Sequence, residues 1–170
     1  CLDRAGLVGD DGPTHHGVFD LAALRPIPGL TIAAPMDDHE LRNIMYTAQL
    51  PGKGPFAIRY PRGASAFTDW KSEFCEIKIG EGRIVRKGSD VAILSLGHPG
   101  NDALAAADEL EKQGISAAVY DMRFLKPMDT ALLDQVAAAG FRRIVTVEDG
   151  IRLGGFGEAV MEYFAEKHPA

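Results

Sequence analysis

The chain has 170 residues, with 18 Lys and Arg against 24 Asp and Glu, a net charge of -6, 46% hydrophobic residues and 25% charged ones. Those proportions exclude a disordered or collagen-like polypeptide, and the acidic balance leaves no electrostatic footprint for nucleic acid. No apolar run approaches the ~20 residues that span a bilayer, and no charged-then-apolar leader opens the chain, so the sequence reads as soluble with no membrane partner. Two cysteines, Cys1 and Cys75, are too few for a disulfide framework and are not spaced as metal ligands, which points to a reducing, cytoplasmic setting. The first residue is not Met, and Cys1-Leu2-Asp3 reads as the tail of a strand entering a loop. The chain is therefore expected to be a piece cut inside a domain.

Leu30 to Ala34, bounded by Pro28-Gly29 and Pro35, has the short apolar form of a buried strand. Asp37 with Glu40 three residues later has the form of a capping box, and Leu41, Ile44, Met45 and Ala48 follow at helical spacing. Pro55 to Tyr60 reads as the next strand, stopped by Pro61 and Gly63, so a parallel pair joined by a helix is expected. From about Gly63 to Glu76 the apolar rhythm disappears, which marks a linker. Glu76 to Ile79 and Arg83 to Val85 alternate around Gly80-Glu81-Gly82 and predict a small hairpin. Val91 to Leu96 is a continuous apolar strand, and Asn101 is expected to cap a helix through Gln113 that Gly114 ends. Ile115 to Tyr120 and Ile144 to Val147 are further strands, with helices opening at Asp129 and near Phe156. Alternating β and α with near-continuous apolar strands predicts open parallel sheets covered on both faces.

In such sheets ligands sit beyond the carboxyl ends of the strands. Arg4 and the loop Gly6 to Gly17 follow the strand ending at Asp3, and Arg62 follows the strand ending at Tyr60. If those strands are parallel neighbours, Arg4, Asp11, His15 and Arg62 share one edge. Two guanidinium forks there suit a phosphate or a carboxylate; solvated surface charges are the competing reading. The loop is dense in glycine and short polar residues, as a ligand-approaching loop or a purely structural turn would be. His15 and His16 are adjacent and no third ligand follows at metal spacing, which speaks against zinc. No G-x-S-x-G elbow is present for a serine hydrolase. Gly154-Gly155-Phe156-Gly157 lies between a strand and a helix, where a dinucleotide's diphosphate would sit, but G-x-G-x-x-G is not met and close packing is the better account.

Leu2-Asp3-Arg4-Ala5-Gly6-Leu7-Val8-Gly9, followed by Asp11-Gly12-Pro13-Thr14-His15-His16-Gly17-Val18-Phe19-Asp20, resembles the transketolase-like pyrimidine domain of the 1-deoxy-D-xylulose-5-phosphate synthase family. Tyr60-Pro61-Arg62-Gly63, Asp121-Met122-Arg123-Phe124 with Lys126-Pro127, and the Gly154 to Gly157 stretch after Val147-Glu148 match the same family in order. The resemblance implies an α/β fold of two open parallel-sheet, three-layer domains. Residues 1–63 would be the C-terminal part of a pyrimidine-binding domain, 64–76 a linker and 77–170 a truncated transketolase C-terminal domain. It implies a homodimeric, bacterial cytoplasmic transferase that uses thiamine diphosphate and Mg2+ to decarboxylate pyruvate and join the two-carbon unit to glyceraldehyde 3-phosphate, a step toward isoprenoid precursors and thiamine. Arg4 and Arg62 would hold the acceptor's phosphate, Asp11 its hydroxyl end, and His15 would lie near the reacting carbons. The family's diphosphate-binding domain and its cofactor-activating glutamate are absent from these residues, and His98-Pro99 stands where the family usually has Gly-Thr. The isolated chain is therefore expected to be inactive. The rivals are the β subunit of a two-oxo-acid dehydrogenase or a split transketolase half, and, in another class, a non-catalytic dimerisation fragment.

Overall fold

In the computed structural model, which describes residues 1–64 and 72–169, the alternation of side chains along each strand decides which helix covers which face. The first half contributes α1 (Asp20–Leu24), β1 (Thr31–Ala33), α2 (Asp38–Ala48) and β2 (Phe56–Ile58). Then follow β3 (Arg83–Arg86), β4 (Val91–Ser95), α3 (Pro99–Lys112), β5 (Ala117–Asp121), β6 (Phe124–Lys126), α4 (Thr130–Ala138), β7 (Arg143–Val147) and α5 (Phe156–Lys167). Among the described residues no helix is long and apolar enough to cross a membrane.

The strands form two sheets, ordered β2-β1-β6 and β3-β5-β4-β7. β1 and β2 are parallel, as are β5, β4 and β7. Both sheets are nevertheless mixed, because β6 pairs antiparallel with β1 and β3 antiparallel with β5. The expected hairpin over 76–85 does not form: residues 78–81 make a turn through Glu81 N–H to the Lys78 carbonyl, and Arg83–Arg86 pairs with β5 instead. The alternation there was real, but its partner lies about 35 residues away in sequence rather than next door. Of the expected linker, residues 65–71 lie outside the described residues; 72–77 run along α2, with the Cys75 N–H on Asn43 Oδ1 and the Ile77 N–H on Thr47 Oγ1.

In β4 and β5, Ile93, Ala117 and Val119 face α3. Ala92, Leu94, Ala118 and Tyr120 face the opposite way, into a core with Leu132, Leu133 and Val136 of α4 and Phe156, Ala159 and Val160 of α5. That core does not stop at the linker: Leu21, Ile32 and Ala34 from the first half belong to it. The other face of the first sheet, with Ala33, Ile58 and Phe124, packs on Ile44 of α2 and on Ile77.

The helix ends show which polar groups are spent on structure. Asp37 caps α2 by accepting from the Glu40 N–H at 2.8 Å, as its spacing predicts. Glu40, however, does not return the capping contact. It is buried and held by Nε and Nη2 of Arg123 at 2.7 and 3.0 Å, with Arg83 at 3.0 Å. Arg123 holds this grip in a left-handed backbone conformation (φ 56°), a geometry that costs an L residue about 1 kcal/mol. Asn101 does not cap α3, which already begins at Pro99; its side-chain amide donates to the carbonyls of Met36 and His98 at 2.8 and 2.9 Å. The start of α5 is capped by Glu148, which accepts from the N–H groups of Phe156 and Gly157, both at 2.9 Å. A Cβ at Gly155 would lie 2.8 Å from that carboxylate, so the glycines here let the chain's own anion reach the helix end.

Asp121 is the most perturbed carboxyl. Burial pushes it up to about 6, against the pull of Arg83 at 3.0 Å and with a push from Glu40. A carboxyl whose folded value is raised stabilises the fold fully below the unfolded value of 3.8 and loses that contribution as pH climbs through 6. Wild type is expected to lose on the order of 3 kcal/mol more than Asp121→Asn between pH 4 and 7, read from urea unfolding across that range. Glu148→Ala, which orphans two helix N–H groups, is expected to cost about 1–3 kcal/mol in the same measurement, and Glu148→Gln less.

Candidate functional site

Residues 1–5 lie alongside the end of β2 in parallel: the Leu2 N–H donates to the Ile58 carbonyl at 2.8 Å, and the Tyr60 N–H to the Leu2 carbonyl at 2.9 Å. The Ala5 N–H continues the pattern onto Tyr60 at 3.1 Å. Arg4 and Arg62 thus leave neighbouring extended segments at the same edge of the first sheet. The intervening loop is pinched shut where Gly6 and Gly17 exchange backbone hydrogen bonds at 3.1 and 3.0 Å. At Gly17 a Cβ would sit 2.1 Å from the Arg4 carbonyl oxygen, so only glycine allows this closure.

Within the loop, Asp11 joins the two arginines. Its Oδ2 receives Arg4 Nε at 2.8 Å and its Oδ1 lies 3.4 Å from Arg62 Nη1, which is also 3.4 Å from Asp10. Arg4 Nη1 is tied to Asp3, through the carbonyl at 3.0 Å and the carboxylate at 2.9 Å. Among the described residues the Nη2 groups of Arg4 and Arg62 have no protein acceptor. A pair of guanidinium groups fixed by a shared carboxylate, each with donors left over, can bind a phosphate in a set orientation.

His15 stands apart from that trio. It ends the 3-10 turn Pro13–His15, is exposed, and its Nδ1 is 3.0 Å from Thr14 Oγ1. His16 is the structural member of the pair, since its Nδ1 accepts from the Val8 N–H at 3.0 Å and braces the loop. Of the four residues singled out by sequence, three are in mutual contact and the fourth is on the rim of the same loop.

Arg59 is the residue that sequence reading missed. It is 2% exposed, and its guanidinium donates to Asp20 Oδ2 at 2.7 Å, to the Gly17 carbonyl at 2.7 Å, and to the carbonyl of Asp149 at 2.8 Å and its Oδ1. The signal was present: an arginine within the apolar run Phe56-Ala57-Ile58-Arg59 of a buried strand must have a dedicated set of acceptors. Beside this edge, a cleft of about 510 Å³ opens between the ends of β1 and β2 and the start of α3; Tyr60, Arg62, Asp38, His98, Asn101 and Asp102 line it.

For a diphosphate with its metal ion the described residues offer a poor fit. Among them no three His, Cys, Asp or Glu side chains converge as a metal site, and the glycine-rich start of α5 is filled by Glu148. What these residues can do chemically is bind and orient an anionic ligand and handle a proton at His15.

Comparison with known proteins bears on the family and the fold. Residues 80–170 match the transketolase C-terminal domain and residues 1–66 the transketolase pyrimidine-binding domain. The chain is similar to the 1-deoxy-D-xylulose-5-phosphate synthases of Bacteroides fragilis, at 59% identity over 98% of this chain and 26% of the relative, and of Cytophaga hutchinsonii, at 55% over 100% and 27%. It thus spans about a quarter of the length of those relatives. Among solved structures, a split-gene transketolase described as an inactive β4 tetramer superposes with a TM-score of 0.80 at 36% identity, covering 92% of this chain and 51% of that one. With a pyrimidine-binding match, a C-terminal match and a fold shared at that level, the chain belongs to the transketolase family.

Proposed function

We propose that in the full-length protein this chain forms the acceptor-binding half of a thiamine diphosphate-dependent synthase that joins a two-carbon unit from pyruvate to glyceraldehyde 3-phosphate. The observation that carries the reading is the Arg4–Asp11–Arg62 cluster at the carboxyl edge of the first sheet. The similarity to 1-deoxy-D-xylulose-5-phosphate synthases supports it over the dehydrogenase subunit and the split transketolase half, whose solved relative is less similar. When bound, the cofactor supplies the carbanion equivalent; its diphosphate and magnesium are held by residues outside those described here.

In this reading the free Nη2 groups of Arg4 and Arg62 take the acceptor's phosphate. Asp11 keeps the two forks at a fixed separation and offers its remaining lone pairs to the acceptor's hydroxyl. His15, unencumbered on the loop's rim, meets the carbonyl end and moves a proton there. His16 acts only by bracing the loop. Leu7, Phe19, Leu153 and Met161 are large apolar side chains 63–79% exposed, and they are the contact surface of a homodimer or of the remainder of the protein.

Steady-state kinetics of the full-length enzyme test the assignment. Arg62→Ala or Arg4→Ala is expected to raise the KM for glyceraldehyde 3-phosphate about ten- to a hundredfold, the loss of one charge-assisted contact of roughly 1.5–3 kcal/mol, with lysine restoring part of it. An unchanged acceptor dependence with impaired pyruvate use would place the anion site elsewhere. His15→Ala is expected to lower kcat on the order of 10²-fold. His16→Ala is expected to leave kcat nearly intact, to raise the acceptor KM through a loosened loop, and to lower thermal stability by about 1 kcal/mol. Kinetics in which the two histidine variants behave alike would remove His15 from proton transfer.

A further inference from the structure

The cleft beside the arginine cluster is chemically lopsided. At one side stands Arg62, half-exposed and linked through Asp11 to Arg4. Along the rest of the wall the polar groups are Asp37, Asp38, Asp102, His98 and Asn101, with the Tyr60 hydroxyl as a further group that can donate. The amide nitrogen of Asn101 is spent on backbone carbonyls and Asp37 is spent as a helix cap, which leaves the wall rich in acceptors and poor in donors.

His98 is set apart by what lies behind it. Its Nδ1 is 3.2 Å from Oδ2 of Asp149. That oxygen is buried and receives no hydrogen bond of ordinary geometry, whereas Oδ1 of the same carboxylate receives Arg59. A buried carboxylate oxygen demands a donor, and a slight turn of the imidazole supplies one. A neutral ring held this way carries its proton on Nδ1, toward that oxygen, and presents Nε2 as a lone-pair acceptor. The Asp149 side chain is 14% exposed and that of His98 38%, so the ring is the open member of the pair, and it lines the cleft. The chain Arg59–Asp149–His98 runs from the interior to the cleft wall and fixes both the direction and the tautomer of the last member.

We propose that His98 is a specificity-determining residue: its Nε2 accepts a hydrogen bond from a hydroxyl of an organic monophosphate whose phosphate is held at Arg62. The inference rests on the acceptor-binding reading of Arg4 and Arg62 and adds to it a contact from the second half of the chain. One cationic end and a wall of acceptors suit a ligand with a single phosphate and hydroxyl groups. A polyanion would meet Asp38 and Asp102 with like charge.

Calorimetric titration of the full-length protein with two unreactive probes, glycerol 3-phosphate and propyl phosphate, separates the phosphate contact from the hydroxyl contact. Wild type is expected to bind glycerol 3-phosphate roughly tenfold more tightly than propyl phosphate, the effect of one hydrogen bond. His98→Ala is expected to bring that ratio to about one while propyl phosphate binds as before, and His98→Asn, which keeps an acceptor, to retain part of it. Arg62→Ala is expected to weaken both probes. Since the His98 side chain is partly exposed, its variants are expected to melt with wild type, and a thermal scan checks this. If both probes bind and His98→Ala keeps the wild-type ratio, the role of His98 falls while the arginine assignment stands. If wild type binds neither probe, the arginine assignment falls and His98 with it.

Discussion

A buried cation organises the molecule. Arg59 stands at the end of β2 with its guanidinium out of solvent, a placement that costs several kcal/mol unless every donor finds an acceptor. Four of its five N–H groups find one on two remote stretches of chain: the Gly17 carbonyl at the base of the ligand loop with Asp20 at the start of α1, and both the side chain and backbone of Asp149 after β7. The ligand loop, the first sheet and the second half of the chain are therefore held at one point. Two carboxylates around one guanidinium leave Asp149 with an unsatisfied oxygen, and that remainder is what reaches His98.

A second ionic cluster also ties remote segments together. Glu40 of α2 is gripped by Arg123 and Arg83, and Asp121 is held by Arg83 as well, so two arginines serve two buried carboxylates, with the carboxylate of Asp37 within 3.6 Å of Arg83. The apolar core joins Leu21, Ile32 and Ala34 to Leu94 and Phe156. Breaking one partner in either cluster would leave a charge buried without compensation, a heavier penalty than losing a surface pair. The halves keep a fixed mutual orientation for this reason, and the cleft between them keeps its shape.

Much of the element order was legible because it rests on local physics. The apolar runs of β1, β4 and β5, the Asp37 and Asp129 caps and the glycine stop at Gly114 all act within a few residues, and each appears where its pattern predicts. The edge shared by Arg4, Asp11 and Arg62 was legible as well, because it needs only that two neighbouring extended segments run parallel. What depends on distant partners was not. Arg83–Arg86 carries the same alternation whether it pairs with 76–79 or with β5; in the fold it pairs with β5, where Leu132 and the Asp121 carbonyl crowd Gly82. Glu40 looks like half of a capping box until Arg123 arrives from 83 residues away. Arg59 stands out in its apolar run as a cation in need of acceptors, but Asp149 looks ordinary, and nothing local pairs the two.

The strand β6 has a temporal consequence. It completes the first sheet by pairing with β1, yet Phe124 follows Ile58, the last residue of β2, by 66 positions (124 − 58). At synthesis rates of ~5–20 residues per second, one flank of β1 stays without its partner for roughly 3–13 s after β2 is made. Throughout that interval Ile32 and Ala34, destined for the common core, lack β6 beside them, and for its first half they lack Leu94 as well. A bare strand edge beside uncovered apolar side chains is a template for pairing with other chains. The first half is thus committed to wait for the second.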